Sequence, residues 1–192
     1  MPFPNKRLVS PTMSCGTILP SQVTTFEWLG LDQLREAPLR AAVAYWSAIR
    51  GDRLFPSRND LKPRDMGGLL PYMSLVMVID GGADFEHRIV GDAVVRAFGV
   101  PLQNRRFSEI ALQAPKLIEV SFSLFRKVVE TRAPLAYLQR TQSDTFQIVC
   151  TLAEMVLLPL GRSDEAVDHV VAFVARQQAV DGCIQPKCVT PP

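Results

Sequence analysis

The chain has 192 residues, 47% of them hydrophobic and 21% charged, with a formal net charge of +2. That is enough apolar material for one sizeable core. The charge is too mild for a clustered nucleic-acid footprint, and no apolar run is long enough to span a bilayer, so partners of the class nucleic acid and membrane are not expected.

Residues 1 to about 32 carry Pro2, Pro4, Pro11 and Pro20 without a clear period, and read as an N-terminal tail. They lack the apolar stretch of a signal peptide, which points to a cytoplasmic protein. Within the tail, "TTFEWLGL" is aromatic enough to dock on the body or on a second subunit. The first helix is expected from about Asp32 to Arg50, where Leu34, Leu39, Val43, Trp46 and Ile49 recur at helical spacing. Gly51 stops it. A linker with Pro56, Pro63 and Pro71 follows, with room for one short helix.

"YMSLVMVID" and "FEHRIVGD" read as strands joined by a Gly81-Gly82 turn, with Phe85, His87 and Ile89 sharing a face. "DAVVRAFG" reads as a short helix capped by Asp92 and stopped by Gly99. Residues 114–131 form the clearest amphipathic helix, with Leu117, Val120, Leu124, Phe125 and Val128 on its apolar face. "PLAYLQRTQS", "FQIVCTLAEMVLLPLG" and "DHVVAFVARQQA" then read as three strands of an antiparallel meander. Residues 181–192, with Cys183 and Cys188, read as a C-terminal tail.

Two strands, a helical crossover and three strands give an α+β fold: one five-stranded antiparallel sheet with helices on one face. Several segments then carry a family resemblance, in order along the chain. They are "YWSAIRGDRLFPSRNDLKP" (Tyr45, Trp46, Arg50, Gly51, Arg53, Pro56, Arg58, Asp60, Pro63), "LLPYMSLVMVID", "HRIVGD" with Gly91, and "AFGVPLQNRRFSEI". The chain resembles the bacterial single-domain PAS-like proteins, the fifth of the PAS subfamilies. The resemblance implies a PAS-like domain over 33–180 with an N-terminal amphipathic helix. Asp92, Pro101 and Asn104 depart from the Thr, acidic residue and Gly usual there.

The resemblance also implies a stand-alone sensory or regulatory protein of bacterial signal transduction. It would act by small-molecule or protein binding, as a homodimer through the N-terminal helix, with a signalling protein as possible partner. A cavity between the sheet and the crossover would be lined by Met77, His87, Phe98, Phe107, Phe122, Cys150 and Phe173. Each of these also fits plain core packing. Arg50, Arg53 and Arg58 fit either helix capping with ion pairing or an anion site, with capping the simpler reading. The cofactor is unknown and no metal is expected, because the cysteines and the two histidines have no ligand spacing.

Catalytic motifs are missing: neither G-x-S-x-G nor a phosphate-binding loop is present. The expectation is no enzyme. One alternative is a hot-dog acyl-thioesterase using Glu119 on the long helix. Another is a purely structural interaction scaffold with a filled core.

Overall fold

The computed structural model describes residues 22–143 and 149–179. Six strands form one antiparallel sheet: β1 (Gln22–Leu29), β2 (Met73–Ile79), β3 (Asp84–Val90), β4 (Leu135–Ser143), β5 (Val149–Leu160) and β6 (His169–Ala179), in the order β1-β4-β5-β6-β2-β3. The helices are α1 (Ala37–Arg50), α2 (Pro63–Met66), α3 (Asp92–Phe98), α4 (Phe107–Ile110) and α5 (Pro115–Thr131). The α+β plan of two strands, helical crossover and three strands is present, with one strand more than expected. The extra strand is β1, which ends the segment read as tail and pairs along its whole length with β4. Residues 1–21 and 180–192, with Cys15, Cys183 and Cys188, lie outside the described residues.

Strand register explains how the core is divided. Ala153, Met155 and Leu157 of β5 lie opposite Arg176, Val174 and Ala172 of β6 and share one face. Glu154, Val156 and Leu158 lie opposite Ala175, Phe173 and Val171 on the other. Both sets are largely buried, so the sheet centre is apolar on both sides. Helices α3 to α5 cover the first face. Helix α1 covers the second, packing on β5 and β6 through Leu39, Ala42 and Trp46. This corrects the expectation of helices on one face only: near-continuous apolar strands demand two covers.

Helix α1 begins at Ala37, later than expected, after a 3-10 turn over Leu31–Gln33. Its own N-cap side chain makes no capping bond. Instead the buried Glu154 carboxylate accepts hydrogen bonds from the Arg35 amide (2.9 and 3.2 Å) and the Glu36 amide (2.9 Å). A strand thus supplies the anion that a helix N-terminus favours. Further along, the Trp46 indole donates to the Pro159 carbonyl at 2.9 Å. Pro159 lies beyond the last β4 pair, so its missing N–H removes no bond to β4.

The stretch from Tyr45 to Pro63 is a structural strap. Gly51 takes φ 61° and ends α1. Arg53 folds back to donate to the carbonyls of Ile49 (2.7 Å) and Arg50 (3.1 Å) and pairs with Asp60 at 2.9 Å. Capping is therefore the work of Arg53; Arg50 lies instead over the Trp46 ring. Asp60 also accepts the Ser57 amide, and that bond with the Arg53 pair holds its carboxyl below the usual range. Tyr45 Oη accepts the Lys62 amide at 2.8 Å, and Pro63 opens α2. Phe55 and Pro56 lie buried over the β5–β6 turn, where the Gly161 amide donates to the Pro56 carbonyl. A Cβ on Gly161 would collide with the Phe55 ring.

Two local details differ from the sequence reading. A bulge interrupts the β2–β3 register between Leu75 and Val76, skipping Arg88. Phe85 and His87 stay inward while Ile89 crosses to the other face, 45% exposed. The N-cap of α3 is Gly91 rather than Asp92, and Gly99 closes the helix in the left-handed region. Asn104 adopts φ 56°, a conformation Asn tolerates, so its substitution for Gly preserves the turn.

Candidate functional site

Between the first sheet face and the crossover lies a cavity of about 620 Å³. Every strand contributes to its floor: Phe26, Ser74, His87, Gln139, Tyr137, Ala153, Met155, Ala172, Val174 and Arg176. The roof is Val94, Ala97 and Phe98 from α3, Leu102 and Phe107 around α4, and Leu117, Ile118, Ser121 and Phe125 on α5. The walls are mostly apolar with a few polar groups, which is the ordinary composition of a small-molecule pocket, and the volume falls in the usual range.

His87 Nδ1 lies 2.9 Å from Ser74 Oγ, and the ring stacks at 5.1 Å on Phe107. Burial pushes the His87 imidazole down to about 4, so it is neutral at physiological pH. The buried Tyr137 hydroxyl donates to Met155 Sδ at 3.0 Å, and burial raises its pKa. Arg176 lies at the exposed rim and donates to the Ala97 carbonyl at 2.9 Å, tying β6 to α3. Phe26 and Trp28 of β1 pack edge-on against Tyr137, and Lys127 of α5 lies over Trp28.

Of the residues expected to line a pocket, the structure brings His87, Phe98, Phe107 and Phe173 to the cavity. Phe173 contributes main chain, since alternation along β6 turns its side chain beneath α1. Met77 pairs with Glu86 and His169 on the opposite face, away from the cavity, because the expectation left the two faces of β2 unassigned. Phe122 belongs to an aromatic cluster with Phe85 and Phe107 and faces a shallow surface depression with Glu119 and Arg126. Cys150 pairs near the start of β5, and its side chain is outside the described ones. Ser74, Tyr137, Gln139 and Phe26 are lining residues that the sequence reading missed. Alternation from Ala153 and Met155 across β4 would have found Tyr137 and Gln139.

No described helix is long and apolar enough to cross a membrane. Searches of curated proteins and of solved structures gave no match. A family model described as PAS domain matches residues 34–175, from the residues before α1 almost to the end of β6. With the two-strand, crossover, three-strand order and the cavity beneath the crossover, the chain belongs to the PAS domain family, in its fifth subfamily.

Proposed function

We propose that this PAS protein is a cytoplasmic regulator that acts by binding a small molecule in the cavity and passing the change to a partner protein. The observation that carries the reading is the cavity itself. It is large, mostly apolar and walled by all six strands and the crossover, so an occupant would touch every element that could move. The reading is of a binding protein rather than an enzyme. Glu119, the carboxylate a thioesterase would use, is exposed on the outside of α5 and belongs to the surface depression.

A homodimer through α1 is part of the same proposal. The Leu39, Ala42 and Trp46 face is already buried in the chain's own core, so the dimer would use the opposite face, where Ala41, Ala44 and Ala48 are exposed. Light scattering of the wild type and of Ala44→Glu tests it, and a monomeric wild type removes it.

Native mass spectrometry of freshly purified protein tests the ligand reading. An added mass at near-stoichiometric occupancy, lost in the cavity-filling variant Ala172→Leu, is the expected result. A clean mass, together with failure of apolar probes to bind, would sink the ligand and leave an interaction scaffold.

A further inference from the structure

Among the described residues, one ring nitrogen of the cavity residue His87 has no hydrogen-bond partner. His87 is 7% exposed. Its Nδ1 meets Ser74, and its Nε2 has no partner among the described residues. Nε2 is also not sealed within packed atoms; among the described side chains only Arg50 Nε is both sealed and unpartnered. His87 lines the cavity, the space to which an unsealed Nε2 has access.

The tautomer follows from Ser74. Its hydroxyl is buried on β2, and the only partner of Oγ among the described residues is His87 Nδ1. A buried hydroxyl proton needs an acceptor. A Ser74 that donates to Nδ1 meets that need and leaves the ring proton on Nε2. A neutral imidazole then presents one N–H donor to the cavity.

The charge of the matching group follows from what surrounds it. Among the described residues Arg176 is the one cation on the cavity wall, and it lies at the rim. It is four residues along β6 from Ala172, the residue opposite Ser74. At about 3.3 Å per residue that is roughly 13 Å along the strand. An anion at His87 would lose its hydration with no positive charge beside it, which is costly. An alkyl group there would leave the N–H unpaired.

We propose that the cavity takes an uncharged, mostly apolar ligand whose carbonyl, ether or hydroxyl oxygen accepts a hydrogen bond from His87 Nε2, with Ser74 positioning the ring. The proposal rests on the ligand reading above and adds the chemistry of the recognised group.

Three probes of matched shape test it: acetylnaphthalene, ethylnaphthalene and naphthoate, each measured by displacement of the neutral dye N-phenyl-naphthylamine. The wild type should bind the acetyl compound about five-fold more tightly than the ethyl compound, the value of one hydrogen bond of about 1 kcal/mol. Naphthoate should bind weakest. His87→Phe should erase the acetyl preference and keep ethyl binding. Equal affinities in the wild type, or a preference that survives His87→Phe, would overturn the proposal while the ligand reading stands. No binding by any of the three, together with a clean native mass, removes both. Side-chain nitrogen NMR reads the ring directly and needs no ligand or folded His87→Phe. The proton is expected on Nε2 in the wild type, with a mixed tautomer in Ser74→Ala, and a proton fixed on Nδ1 in the wild type would overturn the proposal.

Discussion

The bond most open to a quantitative challenge is the one between β5 and α1. Glu154 is 5% exposed and its carboxylate accepts from two consecutive amides at the start of α1. Glu154→Ala removes both bonds and the anion at the helix N-terminus. Hydrogen bonds to a charged acceptor contribute about 1.5–3 kcal/mol each, but these amides are part-buried and water recovers some of the loss. A net destabilisation of about 3 kcal/mol is the reasoned value, against about 1 kcal/mol for Glu154→Gln, which keeps an acceptor oxygen and loses the charge. Urea unfolding at constant slope measures it. With a slope of about 2 kcal/mol/M, the alanine midpoint should fall by about 1.5 M. Hydrogen exchange should show the Arg35 and Glu36 amides losing protection in the alanine variant before the body of the sheet does. An alanine variant within about 0.5 kcal/mol of wild type, or equal loss in both variants, would refute the capping argument.

Three further expectations concern the body of the fold. Gly91→Ala places a Cβ against the Leu70 and Pro71 carbonyl oxygens; a loss of about 3 kcal/mol or failure to fold is expected, read by thermal unfolding, and a neutral result would show the approach is looser than described. Trp46→Phe leaves the Pro159 carbonyl without its indole donor, so about 1–2 kcal/mol should be lost in urea unfolding with the cavity's probe affinity unchanged. His87 titrates near 4 in the fold against 6.5 for an ordinary histidine; the unfolded chain therefore binds the extra proton first, stability is full above pH 6.5 and falls as pH drops towards 4. The loss is on the order of 3 kcal/mol over that window. The Asp60 carboxyl, held low, acts in the same direction at lower pH. The measured quantity is thus the difference between wild type and His87→Phe, and parallel pH curves would refute the assignment.

The sequence was legible where a local rule acts alone. The Gly81-Gly82 turn, the left-handed Gly99 and the amphipathic period of α5 each follow from residues near one another. It was less legible where a distant partner decides. Strand β1 has a neighbour on one side only, with Trp28 55% exposed, so its alternation of Phe26 and Trp28 against Glu27 and Leu29 is not backed by a clean apolar face. The bulge at Arg88 reverses the face of Ile89, and nothing local marks it. Met77 and Phe173 look like pocket residues because β2 and β6 are apolar on both sides. Only the position of α1 tells which side is which.

That two-sided cover bears on how binding in the cavity could be felt elsewhere. Ala153 and Met155 line the cavity, while Glu154 between them holds the start of α1 on the opposite face. The two faces of β5 are linked by the strand's own pleat, through three consecutive residues and no side-chain relay. A shift of the strand towards or away from an occupant moves the Glu154 carboxylate with it. Hydrogen bonds weaken steeply with misalignment, so a small displacement at the cavity would be felt as a change in capping at α1. The Trp46 to Pro159 bond and the Phe55 to Gly161 contact fasten the other end of the same strand to the other end of α1 and its strap. Helix α1 is therefore clamped at both ends to the strand that floors the cavity, and its N-terminal clamp is the one made by a single side chain.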